Sequence, residues 1–258
     1  MVQQEGEGAA AGAGEAAPAP HRTLTGYYAA DAERDSFVRD LFNQAAGSYD
    51  RINLAFSLGS GAWYRRRALL RAGLRPGQRM LDVAVGTGLV AREAVRILRR
   101  PERVTGLDLS EGMLAEARRR LAIPLIRGRA EALPLADASF DFLSMGYALR
   151  HVPNLATAFT EYRRVLRPGG RLLLLEIARP EGRAAYAMAR FYMDTVVPAL
   201  SRALGGGRRA SRMMHYYWDT IDACVPPATI TQALSAAGFA GIGCDVQLGI
   251  FRAYTATA

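Results

Sequence analysis

Residues 79 to 89 read R-M-L-D-V-A-V-G-T-G-L, and this stretch decides the fold. Met80 to Val85 is a short apolar run with one acid, Asp82, the pattern of a strand buried in a parallel sheet. Gly86 and Gly88 come directly after it. Leu89 to Arg99 then places Leu89, Val90, Ala94, Val95 and Leu98 on one helical stripe. Strand, glycine turn and helix open a nucleotide-binding α/β unit. The glycines let a ligand approach the backbone, and the helix start offers free N–H groups. Paired glycines also occur in tight turns for steric reasons alone, so the motif carries weight only with a second unit beside it.

Arg103 to Leu109 supplies that unit: R-V-T-G-L-D-L is a second strand ending in Asp108, twenty residues beyond Gly88. An acid at the tip of the second strand is where such folds bind ribose hydroxyls. Capping of the helix that starts near Ser110 is the competing role. The alternation continues with a helix over 111–121, strands over 123–126 and 140–145, and a helix over 155–166. The turn Arg167-Pro168-Gly169-Gly170 and a fifth strand over 171–177 complete it. This order predicts a doubly wound α/β sheet.

Two or three helices are predicted between Asp31 and Ala72, with Phe37, Val38, Leu41 and Phe42 at helical intervals, covering the ligand edge of the sheet. After Pro180 the alternation stops. Residues 181–204 read as a helix rich in Tyr, Met and Phe, and M-M-H-Y-Y-W-D-T-I at 213–221 as a dense aromatic helix. This excursion, about 181–225, is expected to form an apolar lid over the strand ends; an extra layer of core is the other reading. A helix over 228–237 and an antiparallel pair, 242–248 with 250–257, close the chain.

At 258 residues there is room for one α/β domain with extensions. Residues 1–20 are mostly alanine, glycine, proline and glutamate with no basic residue, unlike a secretory signal. Residues 1–25 are expected to be a disordered tail and 26–258 a single domain. No apolar run approaches the roughly 20 residues of a spanning helix. The net charge is +9 and all 33 basic residues are arginine, which excludes Schiff-base lysine and Walker-type lysine chemistry. Arg65-Arg66-Arg67 and Arg118-Arg119-Arg120 read as solvated helix faces, while Arg208, Arg209 and Arg212 suit anionic lipid headgroups. No nucleic-acid module is present. Cys224 and Cys244 lack a metal-type spacing, which fits a reducing cytoplasm.

D-x-x-x-G-x-G with a later acid resembles the class I methyltransferases, which bind S-adenosylmethionine. The resemblance implies a cofactor site of Asp82, Val83, Ala84, Gly86, Thr87, Gly88, Asp108 and Leu109, completed by Met145. Ala130 and Glu131 of A-E-A-L-P-L would lie near the adenine. Ala84 stands where the family usually has glycine, and Arg129 where it has an acid. F-N-Q-A-A-G-S-Y-D-R-I-N at 42–53, Y-R-R-V-L-R-P-G-G-R-L-L-L-L-E at 162–176 and A-L-S-A-A-G-F at 233–239 resemble the UbiE-type quinone C-methyltransferases. Three segments depart from that pattern: V-A-V-G-T-G-L-V at 83–90, S-M-G-Y-A-L-R-H-V at 144–152 and H-Y-Y-W-D-T-I at 215–221. Together these resemble the RquA relatives of that family.

The RquA resemblance implies conversion of ubiquinone to rhodoquinone, a ring methoxy group giving way to an amino group. S-adenosylmethionine would then be the nitrogen source and manganese a helper. Candidate catalytic residues are Tyr147, Arg150, His151, His215 and Asp219, the last two sharing a helix face at a spacing that suits a metal. The bulk of Val85 and the missing acid at Leu89 are expected to shift the cofactor. A polyprenyl quinone partner implies peripheral attachment to the cytoplasmic face of the inner membrane, and no nucleic acid. An ordinary quinone C-methyltransferase and a non-catalytic quinone-binding member are the alternatives. Metal ligands and oligomeric state are unassigned.

Overall fold

The computed structural model describes residues 19–57, 59–197, 199 and 207–258. Seven strands form one sheet in the order β3-β2-β1-β4-β5-β7-β6. They are β1 (Met80–Val83), β2 (Val104–Asp108), β3 (Leu125–Arg127), β4 (Phe140–Gly146), β5 (Leu166–Ile177), β6 (Ala240–Gln247) and β7 (Phe251–Thr257). The first five run parallel, whereas β7 lies antiparallel between β5 and β6. The helices are α1 (Arg34–Ser57), α2 (Gly61–Arg71), α3 (Leu89–Leu98), α4 (Glu111–Arg120), α5 (Leu155–Val165), α6 (Arg183–Phe191), α7 (Gly207–Ala223) and α8 (Pro227–Ala236). This is the class I methyltransferase arrangement, a Rossmann-like doubly wound sheet, as the alternation predicts.

All four residues of β1 are buried, because α2 and α3 cover one face of the sheet and α5 and α8 the other. Short polar side chains start two of these helices: Ser110 Oγ accepts from the Met113 N–H at 3.1 Å and Asn154 Oδ1 from Thr157 at 3.0 Å. The strand boundaries differ from expectation for local reasons. β1 stops two residues early because Ala84 turns into the left-handed region, φ 54°. β3 begins after Pro124, which has no N–H for the ladder. β5 begins at Leu166, where the expected turn is absorbed as an irregularity in its pairing with β4.

A third cluster lies above the sheet, where α7 packs Met213, Tyr216, Trp218 and Ile221 against Leu41 and Ala45 of α1. Residues 1–18 of the expected tail lie outside the described residues. From Pro20 onward the chain is docked rather than loose. Val225 donates its N–H to the Pro20 carbonyl at 2.8 Å, His21 is buried, and Arg34 donates to the His21 carbonyl at 3.2 Å. Within the lid segment, α6 buries none of its residues, and Met188 and Phe191 are exposed. The side chains of Arg208 and Arg209 also lie outside the described residues. No described helix is long and apolar enough to cross a membrane.

Candidate functional site

Beyond the carboxyl ends of β1, β2 and β4 lies a cavity of about 120 Å³. It sits where the strand order reverses, the place where open α/β sheets take ligands. α1 closes it from above with Asp35, Val38, Phe42 and Tyr49. Its floor is the turn after β1. Gly86 donates its N–H to the Asp108 carboxylate at 2.8 Å, and Ser110 donates to the other carboxylate oxygen at 2.8 Å. Asp108 thus braces both loops, while the capping itself falls to Ser110. Burial pushes the Asp108 carboxyl up to about 6 against the pull of these amides. Each oxygen retains a lone pair for a ligand hydroxyl.

At the far end, Gly128, Arg129, Ala130 and Glu131 form the wall. Arg129 is ion-paired to Asp35 and lies 3.8 Å from Glu131. Glu131 Oε1 is buried without a hydrogen-bond partner, and burial raises the pKa of its carboxyl. The apolar side chains of Leu107, Leu109 and Met113 line the slot between these acids. An adenosyl group fits: Asp108 would accept from ribose hydroxyls and the orphaned Glu131 oxygen from the adenine amine.

Val83, Ala84, Gly86, Leu109, Ala130 and Met145 of the expected cofactor set also line the cavity. Three members do not. Asp82 lies one residue below the rim, buried, accepting from Ser144 Oγ at 2.5 Å. Thr87 turns toward α1 and donates to Asp50 at 2.5 Å. Gly88 is packed under Leu121, whose Cδ1 would stand 2.5 Å from an added Cβ. The expectation that Val85 and Leu89 reshape the cofactor site fails on geometry. Neither lines the cavity, and Val85 is buried against Gly106 on the α2–α3 side.

Tyr147 and His151 reach the cavity from the segment after β4. Tyr147 is held at φ 61° and donates its N–H to the Leu175 carbonyl at 2.7 Å. His151 stacks on Tyr216, with centroids 5.5 Å apart, and meets the edge of Phe42. Its Nδ1 faces the Tyr216 hydroxyl at 3.4 Å and its Nε2 is buried without a partner. Burial, then the Arg150 charge, holds the imidazole pKa well below its ordinary value. Arg150 lies behind the wall, fully buried, ion-paired to Glu176, bonded to Thr220 and stacked 3.9 Å above the Tyr217 ring.

His215 and Asp219 do not join this site. Their shared helix face points outward: His215 is exposed, and Asp219 accepts from the Tyr27 hydroxyl at 2.5 Å. Neither lines the cavity. Among the described residues no group of three or more His, Cys, Asp or Glu side chains is gathered to hold a metal ion, so the described residues do not fit a manganese centre. Sequence reasoning missed Asp35 and Tyr49 as cavity walls, although Tyr49 lies in the Y-D-x-x-N segment.

A family model described as the ubiE/COQ5 methyltransferase family matches residues 29–255. The demethylmenaquinone methyltransferase of Symbiobacterium thermophilum is 35% identical over 227 residues, covering 84% of this chain and 89% of that protein. The ubiquinone/menaquinone biosynthesis C-methyltransferase UbiE of Shewanella pealeana is 30% identical over 225 residues, covering 84% and 88%. Among solved structures, an S-adenosylmethionine-dependent methyltransferase of Thermotoga maritima, described as a possible histamine N-methyltransferase, shares the fold. Its TM-score is 0.60 at 21% identity, covering 84% of this chain and 98% of that one.

Proposed function

The chain belongs to the ubiE/COQ5 methyltransferase family, and on that footing we propose that it methylates a ring carbon of an isoprenoid quinol with S-adenosylmethionine as donor. The observation that carries this reading is the slot between Asp108 and the orphaned Glu131 oxygen, which opens directly onto Tyr147 and His151. When bound, the cofactor supplies an electrophilic methyl group. The chain's own part is to hold, orient and exclude water. Asp108 and Glu131 fix the adenosyl end, while α1 roofs the slot with Val38, Phe42 and Tyr49. Methylation of a ring carbon releases that carbon's proton, and the neutral, unpartnered His151 Nε2 on the cavity wall can accept it. In this proposal α7 acts as the lid, since its Tyr216 reaches His151. The enzyme works at a membrane surface, where a polyprenyl quinol resides; exposed Trp63, Arg66, Arg67 and Leu70 on α2 suit a lipid headgroup layer.

A second reading, exchange of a ring methoxy for an amino group as in the RquA relatives, is favoured by one observation. Of the three departing segments, the one at 144–152 brings both Tyr147 and His151 to the cavity wall. S-adenosylmethionine labelled separately in its methyl carbon and its amino nitrogen, incubated with a demethylated quinol and with ubiquinone, separates the two by mass spectrometry of the product. Methyl label in the first product supports methylation. Nitrogen label in the second overturns it in favour of amination. No label in either product overturns both.

A further inference from the structure

A second cavity, of about 450 Å³, lies between α2, the end of α1 and the turn joining β6 to β7. It shares a wall with the cofactor cavity, because Tyr147 lines both. Tyr64, Ile177, Tyr217 and Phe251 make most of its surface aromatic or aliphatic, and among the described residues no carboxylate lines it. Among the described residues the cation within that apolar lining is Arg65, only 5% exposed. Its guanidinium donates to Asn53 Oδ1 at 2.6 Å and lies 5.6 Å from the Tyr147 ring centroid. Its Nε–H is buried with no hydrogen-bond partner. A guanidinium taken out of water without a carboxylate is costly, and an unfilled donor adds to that cost unless a ligand oxygen completes it.

The mouth is also unusual. Leu248 is 88% exposed and sits at φ 51°, a left-handed conformation that L side chains rarely adopt. Trp63, 60% exposed, faces the same cavity beneath the Arg67 guanidinium. Both residues expose apolar surface that the fold itself does not use.

We propose that this cavity is the acceptor site. Arg65 holds a ring oxygen of a hydroxylated aromatic substrate, the ring edge reaches past Tyr147, which lines both cavities, to the cofactor methyl and His151, and a hydrocarbon tail leaves between Trp63 and Leu248. The assignment rests on the quinol reading above and adds the residue that selects the ring and the route of the tail. A flat aromatic lining favours a flat ring, the Arg65 cation favours a phenolic or carbonyl oxygen, and the absence of a carboxylate among the described lining residues disfavours amines and metal ions.

The test is binding, measured with the full chain and S-adenosylhomocysteine present, using two probes: a dimethoxybenzoquinol with a decyl chain and the same ring without it. Arg65→Leu is expected to weaken both probes at least tenfold while leaving S-adenosylhomocysteine affinity unchanged. Leu248→Asp, a surface change that spares the fold, is expected to weaken only the tailed probe. If the wild-type chain binds the probes and both variants bind them equally well, this assignment is overturned and the quinol reading stands. If the wild-type chain holds S-adenosylhomocysteine but neither probe, the quinol reading falls with it.

Discussion

The Ser144 hydroxyl donates to the Asp82 carboxylate at 2.5 Å across paired positions of β4 and β1. Val83 and Met145, the next residues on each strand, line the cofactor cavity. Burial pushes the Asp82 carboxyl up to about 7, with the Ser144 bond pulling the other way. The folded chain therefore binds a proton that the unfolded chain releases near pH 4, and stability falls as pH rises from about 4 to about 7. In Asp82→Asn that loss disappears. Thermal unfolding of both proteins is expected to show the variant gaining on the parent across this window, by on the order of 4 kcal/mol, and holding a constant gap above it. A gap independent of pH would mean that the carboxyl titrates normally.

Asp108 gives a second pH dependence, this time in binding. Its carboxyl titrates at about 6 in the free protein, and ribose hydroxyls bond best to the ionised form. Affinity for S-adenosylhomocysteine should be flat above pH 7 and weaken about tenfold per unit below pH 6. Calorimetric titration at several pH values checks this. Asp108→Ala should bind weakly at every pH and lose the dependence.

The Arg150–Glu176 pair is the buried ionic joint behind the site, with Thr220 and the Tyr217 ring also against the guanidinium. Removing one partner strands a charge in the interior. Glu176→Gln is expected to cost about 3–5 kcal/mol in urea unfolding. It should also loosen α7, read as faster amide exchange around Tyr217.

Ala84 carries a Cβ at φ 54°, in a turn where the two other left-handed positions, Gly86 and Gly88, are glycines. Ala84→Gly should stabilise the chain by about 1 kcal/mol, with S-adenosylhomocysteine affinity preserved because the replaced group is a single methyl. An unchanged melting temperature would argue that surrounding contacts already compensate the strain.

The sheet was legible because its signals are local. The apolar run at 80–85, the two glycines and the stripe of α3 state their roles within twenty residues, and Asp108 comes at a fixed interval after them. The site was legible only where it lies on that frame. Val85 and Leu89 occupy conspicuous positions in the motif, yet a strand's alternation and the turn after it send them away from the cavity. His215 and Asp219 do share a helix face, but spacing says nothing about which face meets the sheet; the apolar side of α7, with Met213, Tyr216 and Tyr217, decided that. Arg150 joins Glu176 and Thr220 through three segments distant in sequence, a link no single stretch records. Asp35 and Tyr49 reach the cavity through the docking of α1, which is likewise a tertiary event.

The stitching of Pro20 to Val225, with His21 seated against Arg34, makes the leading segment a tether for the far side of the molecule. Cleavage after exposed Arg22 would cut that tether and remove one of the attachments of the helical cap, leaving those made through α1, Tyr27 and Arg150. Trimming the chain at Gly26, where composition invites it, would therefore soften the roof over the reaction chamber rather than remove a bystander.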